Sequence, residues 1–237
     1  MEAAAATNQI LAVNQIAVGY GQSQVIPGLS FAAGENEIVA IMGRNGMGKT
    51  TLFKALIGIL PVRAGTIVLG GRDLTGQESF ERVANGLAYV PQGRMIFPKL
   101  TVEDNIRSGL RSRKEDIPDE LFEFFPVLKD MRNRRGGNLS GGQQQQLAIA
   151  RALASHPKVL LLDEPTEGIQ PSIIKDLARM LKEIRDKRGL SIVVSEQVLS
   201  FALEIADRVL VIDRGRITLE TPRADVDAES VSRMLSI

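Results

Sequence analysis

A glycine-rich segment between a predicted strand and a predicted helix constrains the fold of this chain most strongly. Residues 37–42 end in a short apolar run that predicts a buried strand. Helical spacing of apolar residues follows and predicts a helix that continues to Pro61; these residues are Leu52, Ala55, Leu56 and Ile59. The segment between them, Gly43 to Thr50, matches the pattern G-x-x-x-x-G-K-[ST]. Its glycines allow the backbone to curl so that several N–H groups point at phosphate oxygens.

This pattern assigns a role to each polar group of the loop. The Lys49 ammonium is expected to reach the β- and γ-phosphates of ATP, and the Thr50 hydroxyl is expected to bind Mg²⁺. The expected nucleotide site comprises Gly43, Arg44, Asn45, Gly46, Met47, Gly48, Lys49, Thr50 and Thr51. The strand before the loop and the helix after it disfavour a chance match. A dinucleotide fold is disfavoured because G-x-G-x-x-G is absent and Lys49 would have no role.

Two carboxylates follow a second apolar run, Val159 to Leu162. In open parallel sheets, ligands bind beyond the carboxyl ends of the strands. Asp163 is therefore expected to hold the magnesium ion, directly or through water, and Glu164 to orient or deprotonate the water that attacks the γ-phosphate. An acidic turn after a strand is the alternative, but the phosphate loop elsewhere in the chain favours catalysis.

The remaining patterns indicate an α/β fold with an inserted helical subdomain. Residues 191–195 and 208–212 predict further strands, and a helix should begin at Pro171 and end before Gly189. Alternating strands and helices imply a P-loop NTPase core with a mainly parallel sheet, covered on both faces. From about Thr101 to Asn138 no strong strand pattern occurs, and helices are expected around Val102–Leu110 and Asp119–Leu128.

A third motif, Leu139 to Gln143, comes shortly before the second strand. Ser140 and the glycine amides predict another helix terminus that suits phosphate, followed by a helix with Leu147, Ala150 and Leu153 on one face. Taken alone, the motif also fits an ordinary helix cap, because serine and glycine favour that position.

Together these motifs resemble those of the ATP-binding subunits of ABC transporters, from about residue 10 to 217. The resemblance implies an N-terminal antiparallel β region, adenine stacking on Tyr20, and a Gln92 that contacts magnesium and water and couples to the membrane subunit. It also implies a head-to-tail dimer, in which Ser140, Gly142 and Gln143 of one subunit complete the ATP site of the other. The expected divisions are a disordered segment 1–9, a nucleotide-binding core 10–93, a helical subdomain with the signature motif 94–150, and the rest of the core 151–237.

Two positions depart from the pattern of most of that family. Gln170 stands where an aspartate is usual, and Gln197 stands where a histidine usually touches the γ-phosphate. We hypothesise that Gln197 still donates a hydrogen bond to phosphate or water, as glutamine does in some GTPases. Residues 91–98 and 168–175 look closer to the urea-type second ATPase subunit of importers for branched-chain amino acids and urea.

Composition limits the expected partners. The chain has 29 basic and 28 acidic residues, which gives no electrostatic argument for nucleic acid. It has no cysteine and a single histidine, His156, expected in a loop, so cysteine- and histidine-built metal sites are disfavoured. Residues 1–9 do not read as a signal peptide, and no apolar run reaches the roughly 18 residues of a membrane span.

As an importer subunit, the chain is expected to lie peripherally on the cytoplasmic face of the inner (plasma) membrane. The expected partners are two membrane-spanning permease subunits, an extracytoplasmic solute-binding protein, and a sister ATPase subunit or a second copy of this chain. The alternatives are a soluble ABC-type ATPase of DNA repair, translation or cluster assembly, and a nucleotide-binding regulator without turnover. Residues 51–139 are too few for the coiled coils of the repair proteins, and translation proteins usually carry two such domains.

Overall fold

The computed structural model describes residues 9–236 and contains two β-sheets. The described strands, in chain order, are β1 (Gln9–Tyr20), β2 (Ser23–Gly34), β3 (Ile38–Met42), β4 (Ala64–Leu69), β5 (Arg72–Asp73), β6 (Leu87–Val90), β7 (Val159–Asp163), β8 (Ser191–Glu196), β9 (Arg208–Asp213) and β10 (Arg216–Pro222). Four of them form an antiparallel sheet in the order β2-β1-β4-β5. This sheet confirms the expected N-terminal antiparallel region.

The N-terminal prediction of disorder concerns residues 1–9. Residues 1–8 lie outside the described part of the chain. Gln9 is the first residue of β1 and is the partner of Gly34 in β2, so the prediction was wrong at this residue.

The second sheet has six strands in the order β10-β9-β3-β8-β7-β6 and is parallel except for β10. Its register places the carboxyl ends of β3, β7 and β8 side by side, because Met42 pairs with Glu196 and Asp163 pairs with Ser195. The phosphate loop begins directly after Met42. The parallel sheet therefore brings this loop and the acidic pair to one edge, as expected from the sequence.

Apolar side chains cover both faces of this sheet. Ile38, Ala40 and Met42 of β3 belong to one buried cluster, whereas Val39 and Ile41 belong to the other. A strand buried on both faces reads as a continuous apolar run, which is why the pattern was recognisable.

The described α-helices, in chain order, are α1 (Lys49–Leu56), α2 (Ser79–Ala84), α3 (Val102–Arg107), α4 (Asp119–Phe124), α5 (Pro126–Asp130), α6 (Gly141–Leu153), α7 (Pro171–Arg188), α8 (Leu199–Ile205) and α9 (Ala228–Ser236). Among the described residues, every regular element between β6 and β7 is a helix. The only β pairing described in this segment is one isolated bridge between Thr101 and Arg135. These helices form the inserted segment. The boundary expected at residue 150 falls inside α6.

Three helix ends differ from the expectations. Helix α1 ends at Leu56 rather than near Pro61, because Gly58 adopts a left-handed conformation (φ 85°) that stops the helix, and Ile59 is 55% exposed. The helix expected over residues 119–128 is two helices separated at Phe125. Phe125 precedes a proline, which disfavours helical backbone at that residue. Helix α3 ends at Arg107 rather than at Leu110.

Helix α7 matches the expectation at both ends. It begins at Pro171, and its C-terminal cap Gly189 is left-handed, with φ 60°. Within residues 9–236, no helix is both long enough and apolar enough to cross a membrane.

Candidate functional site

The phosphate loop joins β3 to α1 through two left-handed glycines. Gly46 has φ 83° and Gly48, the N-terminal cap of α1, has φ 105°, conformations that disfavour other residues. The first turn of α1 leaves the N–H groups of Lys49, Thr50 and Thr51 without carbonyl partners inside the helix. These N–H groups and the helix dipole suit bound phosphate.

A cavity of about 300 Å³ lies directly beside this loop. Its lining residues are Val25, Asn45, Gly46, Gly48, Lys49, Thr50, Thr51, Gln92 and Glu164. The structure thus brings the expected lysine, hydroxyls, glutamine and catalytic glutamate together, although they come from three distant parts of the sequence.

Lys49 is buried, and its ammonium is fully bonded. Its Nζ donates to the carbonyl oxygens of Gly43 (2.7 Å) and Arg44 (3.1 Å), and lies 3.0 Å from Glu164 Oε1. Three donors with three partners satisfy this buried charge. A triphosphate could replace Glu164 as the anionic partner of the ammonium, which would release the carboxylate.

Glu164 has a strained backbone held from the neighbouring strand. Its φ is 48°, in the left-handed region that non-glycine residues rarely adopt. Its N–H donates to both the carbonyl oxygen and the Oγ of Ser195, each at 3.1 Å. On the side chain, Gln92 Nε2 lies 3.3 Å from Glu164 Oε2 and donates to it. The carboxylate therefore lies between Lys49 and Gln92, at the cavity wall.

Asp163 is buried at the end of β7 and accepts hydrogen bonds from neighbouring hydroxyls. Ser195 Oγ donates to its Oδ1 at 2.6 Å, and the Tyr89 hydroxyl donates to its Oδ2 at 3.1 Å. Burial raises the pKa of Asp163, while hydrogen bonds from Ser195, Thr50 and Tyr89 oppose the shift. Burial also raises the pKa of Tyr89 far above its ordinary value, so this hydroxyl stays protonated.

These groups fit a magnesium ion. The carboxylate of Asp163, the hydroxyl of Thr50 and the amide oxygen of Gln92 are hard oxygen ligands of the kind that Mg²⁺ prefers. Within the described residues no cluster of three His, Cys, Asp or Glu side chains is placed to hold a metal. One carboxylate with neutral oxygens suits an ion that retains waters and substrate phosphates as ligands.

Gln197 lies on the other side of the phosphate loop. It lines a cavity of about 350 Å³ with Gly43, Arg44, Asn45 and Leu235 of helix α9. Gln197 does not line the cavity that contains Lys49, Gln92 and Glu164, so its hydrogen bond to phosphate or water stays a prediction.

The signature residues of the same chain lie apart from both cavities. Ser140 caps α6 in a reciprocal box with Gln143, in which the Ser140 N–H donates to Gln143 Oε1 at 2.9 Å. Gly142 packs so closely on Ile173 that an added Cβ would come within 2.7 Å of its side chain. None of Ser140, Gly142 and Gln143, all within the described chain, lines either cavity.

Tyr20, Gln170 and His156 were also singled out from the sequence. Tyr20 ends β1 and is 47% exposed. Gln170 is the N-terminal cap of α7, but its side chain makes no capping bond. His156 is exposed in the loop after α6, as expected.

The sequence analysis missed several residues that support the acidic pair. Tyr89 and Ser195 bind Asp163, and Thr166 and Glu196 bind each other beside Glu164. A further contact comes from Arg94, whose guanidinium donates to the carbonyl oxygen of Glu167 at 2.8 Å. In the sequence these residues are marked only by lying next to the recognised motifs. Such proximity along the chain does not reveal which residues form hydrogen bonds across neighbouring strands.

Comparison with known proteins agrees with this architecture. The family model described as ABC transporter matches residues 26–167. The chain is 38% identical over 214 residues to the high-affinity branched-chain amino acid transport ATP-binding protein BraG of Pseudomonas aeruginosa, covering 89% of this chain and 91% of that protein. It is 34% identical over 233 residues to the lipopolysaccharide export system ATP-binding protein LptB of Haemophilus influenzae, covering 95% and 96%.

A solved structure shares the fold across nearly the whole chain. The ADP conformation of an ATP-binding cassette of an ABC transporter superposes with a TM-score of 0.83 at 26% identity, covering 95% of this chain and 98% of that one. The fold and the phosphate-loop site thus define an ATP-hydrolysing cassette. The chain belongs to the ABC transporter family and is one of its ATP-binding subunits.

Proposed function

We propose that this chain powers an importer of a small polar solute, of the branched-chain amino acid or urea type, by hydrolysing ATP with Mg²⁺. The convergence of Lys49, Gln92 and Glu164 on one cavity carries the catalytic part of this proposal. The similarity to BraG supports the importer part. The urea type rests on the sequence resemblance alone.

In this proposal the phosphate loop binds and orients the triphosphate. Backbone N–H groups of the loop and the Lys49 ammonium hold the β- and γ-phosphates, Thr51 adds a hydroxyl, and the exposed Tyr20 ring stacks on adenine. Released from Lys49, the Glu164 carboxylate orients the attacking water and accepts its proton. Gln197 donates a hydrogen bond to the γ-phosphate or to that water.

The metal site is proposed where Thr50 and Gln92 line the cavity, together with Asp163 at the end of β7. Thr50, Gln92 and Asp163 would hold Mg²⁺, which when bound supplies positive charge that neutralises the phosphate oxygens. Tyr89 and Ser195 orient Asp163 by hydrogen bonds to its two oxygens. Such supporting contacts fix the direction of a ligand and tune its affinity.

A second subunit would complete the site. Because Ser140, Gly142 and Gln143 lie away from the cavities of their own chain, their helix terminus is free to face the nucleotide of a partner. In a head-to-tail dimer the γ-phosphate would link the two subunits, and hydrolysis would weaken that link. The partner is a second copy or a sister ATPase.

An exposed apolar patch after Gln92 is the proposed contact with the two permease subunits. Met95, Phe97 and Leu100 are 68%, 47% and 40% exposed. Buried Asn105 keeps their loop in place, since its side chain accepts from Phe97 N–H and donates to the carbonyl oxygens of Phe97 and Thr101. A rigid apolar loop suits docking onto a membrane subunit on the cytoplasmic face.

A variant of Glu164 tests the catalytic proposal. Glu164→Gln should bind ATP, lose steady-state phosphate release and accumulate a dimer in saturating ATP, because the phosphate link persists. The matched control is Glu183→Gln, which changes a half-exposed glutamate on α7 and should retain activity. Wild-type phosphate release by Glu164→Gln would contradict the proposal. If Glu164→Gln stays monomeric alone, it should be mixed with the sister subunit before the dimer is rejected.

A pull-down from membranes tests the transport proposal. Tagged wild-type chain should retain two permease subunits and a solute-binding protein, and Met95→Glu should lose them while Met95→Leu keeps them. The similarity to LptB favours a second candidate, an export subunit, which recovery of lipopolysaccharide-export membrane proteins would support instead. Recovery of no membrane protein would favour a soluble ABC-type ATPase.

A further inference from the structure

The last residue of β8, Glu196, binds two loops of the catalytic site at once. Its Oε1 accepts hydrogen bonds from the N–H (3.1 Å) and the hydroxyl (2.6 Å) of Thr166. Its Oε2 accepts from the N–H groups of Gln197 (2.9 Å) and Val198 (3.1 Å). All four partners are donors, which suits an ionised carboxylate. One side chain therefore joins the loop after Glu164 to the loop that carries Gln197.

Glu196 is also an unusual group to bury. It is 1% exposed, and within the described residues no lysine or arginine pairs with it. A buried carboxylate without a counter-ion is costly, so four hydrogen bonds are needed to hold it. An apolar residue or threonine at this position would avoid that cost, which argues that the carboxylate does more than fill the core.

The loop that Glu196 holds contains the strain of the site. Glu164 is left-handed, with φ 48°, and such strained residues persist only where their surroundings hold them. Ser195 binds the N–H of Glu164 on one side. Glu196 binds Thr166, two residues beyond, on the other side. The last two residues of β8 together hold the backbone on both sides of the catalytic glutamate.

We propose that Glu196 is a positioning residue for ATP hydrolysis: it couples the Thr166 loop to the Gln197 loop and so sets the place of the Glu164 carboxylate. This inference rests on the proposed role of Glu164. It does not require that Gln197 itself contact phosphate, because the Thr166 half of the contact acts on Glu164 through the intervening backbone. Among residues 9–236, the Glu196 side chain makes no hydrogen bond or ion pair with Lys49 or with the phosphate-loop side chains, so nucleotide binding should not depend on it.

The primary test is Glu196→Gln, measured by steady-state kinetics and by ATP binding. Glutamine places an N–H₂ group against N–H donors, which breaks the contact with one loop without changing the side-chain volume. We expect kcat to fall between about 10- and 100-fold, since a misplacement of about 1 Å can cost about 100-fold. The KM for ATP and the ATP affinity should stay within about twofold of wild type.

A second pair of variants tests the same contact from the other side. Thr166→Val removes the hydroxyl that binds Glu196 and should lower kcat, whereas Thr166→Ser retains the hydroxyl and should restore it. The double variant Glu196→Gln with Thr166→Val should be no slower than the slower single variant. Each single change already weakens the link that Glu196 makes between the two loops, so the two effects should not add.

Two results would overturn the inference. One is wild-type kcat in both Glu196→Gln and Thr166→Val. The other is a joint loss of kcat, ATP affinity and thermal stability, which would indicate a role in folding alone. Glu164→Gln measured in parallel separates this failure from failure of the proposed function, because active Glu164→Gln would reject the catalytic glutamate whatever the Glu196 variants show.

Discussion

At the scale of single residues, the site depends on groups that bind the acidic pair rather than on the pair alone. Asp163 and Glu164 could be named from sequence because strand, carboxylates and proline form a local pattern. Tyr89 and Ser195 could not be named, because their roles arise only when β6 and β8 lie on either side of β7. Sequence patterns describe neighbours along the chain, whereas hydrogen bonds across a parallel sheet join residues far apart in sequence.

The hydroxyl of Tyr89 gives the first prediction at this scale. Tyr89→Phe removes one hydrogen bond to Asp163, so the Mg²⁺ concentration for half-maximal ATPase activity should rise about 10-fold, the lower end for lost supporting contacts of metal ligands. The pKa of Tyr89 is raised, so its hydroxyl stays protonated. The ratio of the half-maximal Mg²⁺ concentrations of Tyr89→Phe and wild type should therefore not change between about pH 6 and pH 9. An unchanged magnesium requirement in a titration would contradict this role.

Burial of Glu196 gives a second prediction, about stability and pH. Burial raises the pKa of Glu196, against hydrogen bonds from Thr166, Val198 and Gln197. The folded state therefore binds the Glu196 proton more tightly than the unfolded state. The contribution of this proton to the unfolding free energy is complete below the ordinary pKa of 4.5 and is lost as the pH rises through the raised pKa. The unfolding free energy of wild type minus that of Glu196→Gln should therefore fall as the pH rises above about 4.5.

Urea denaturation at several pH values measures that difference. Glu183→Gln is the control for removal of a glutamate carboxylate, since the Glu183 side chain is half exposed. A difference for Glu196→Gln that rises with pH would show that the ionised form is favoured by the fold, opposite to this prediction.

At the scale of elements, strongly periodic segments were predictable and their ends were not. Strands β3 and β7 and helix α7 appear within one or two residues of the expected positions. The expected helix over residues 119–128 failed because apolar spacing continues through Phe125 while the backbone is interrupted before Pro126. The antiparallel sheet was expected only from family resemblance, since no pattern of alternation was recognised in β1 and β2.

The C-terminal end of α1 gives the prediction at this scale. Arg82, 2% exposed, donates from Nη1 to the carbonyl oxygens of Ala55 and Leu56 (2.8 Å each) and from Nη2 to that of Thr75 (2.8 Å). In Arg82→Met, the Gly58 N–H still donates to the Ala55 carbonyl at 3.2 Å. The change removes the side-chain donor from the Leu56 and Thr75 carbonyls, however, and should lower the unfolding free energy by about 3 kcal/mol. Urea denaturation should show a lower midpoint with an unchanged slope.

The exposed Arg72 of β5 is the matched control for this change. Arg72→Met should alter the unfolding free energy by no more than about 0.5 kcal/mol, as surface substitutions generally do. Equal effects of the two variants would show that Arg82 stabilises α1 through general charge rather than through its carbonyl contacts.

At the scale of the whole molecule, the phosphate loop and the signature motif lie at separate places on the described chain. Lys49 lies at the cavity, whereas Ser140 caps α6 outside it, beside the loop after Glu164. Both motifs could be identified from the sequence, and both lie at helix N-termini. In the proposed head-to-tail dimer, a second chain brings one motif to the other. The second chain is either a copy of this chain or a sister ATPase, and the two motifs fit both cases.

Complementation between two inactive variants decides this point. Lys49→Ala should lose nucleotide binding and Ser140→Arg should block the signature helix terminus, so each variant alone should lack ATPase activity. If two copies of this chain form a symmetric head-to-tail dimer, mixed dimers contain one site with both motifs intact. An equal mixture should then recover up to about a quarter of wild-type phosphate release. About half of the dimers are mixed, and in each mixed dimer one of the two sites is intact. An inactive mixture, with wild-type chain active only after the sister subunit is added, would instead establish that the natural partner is a different ATPase.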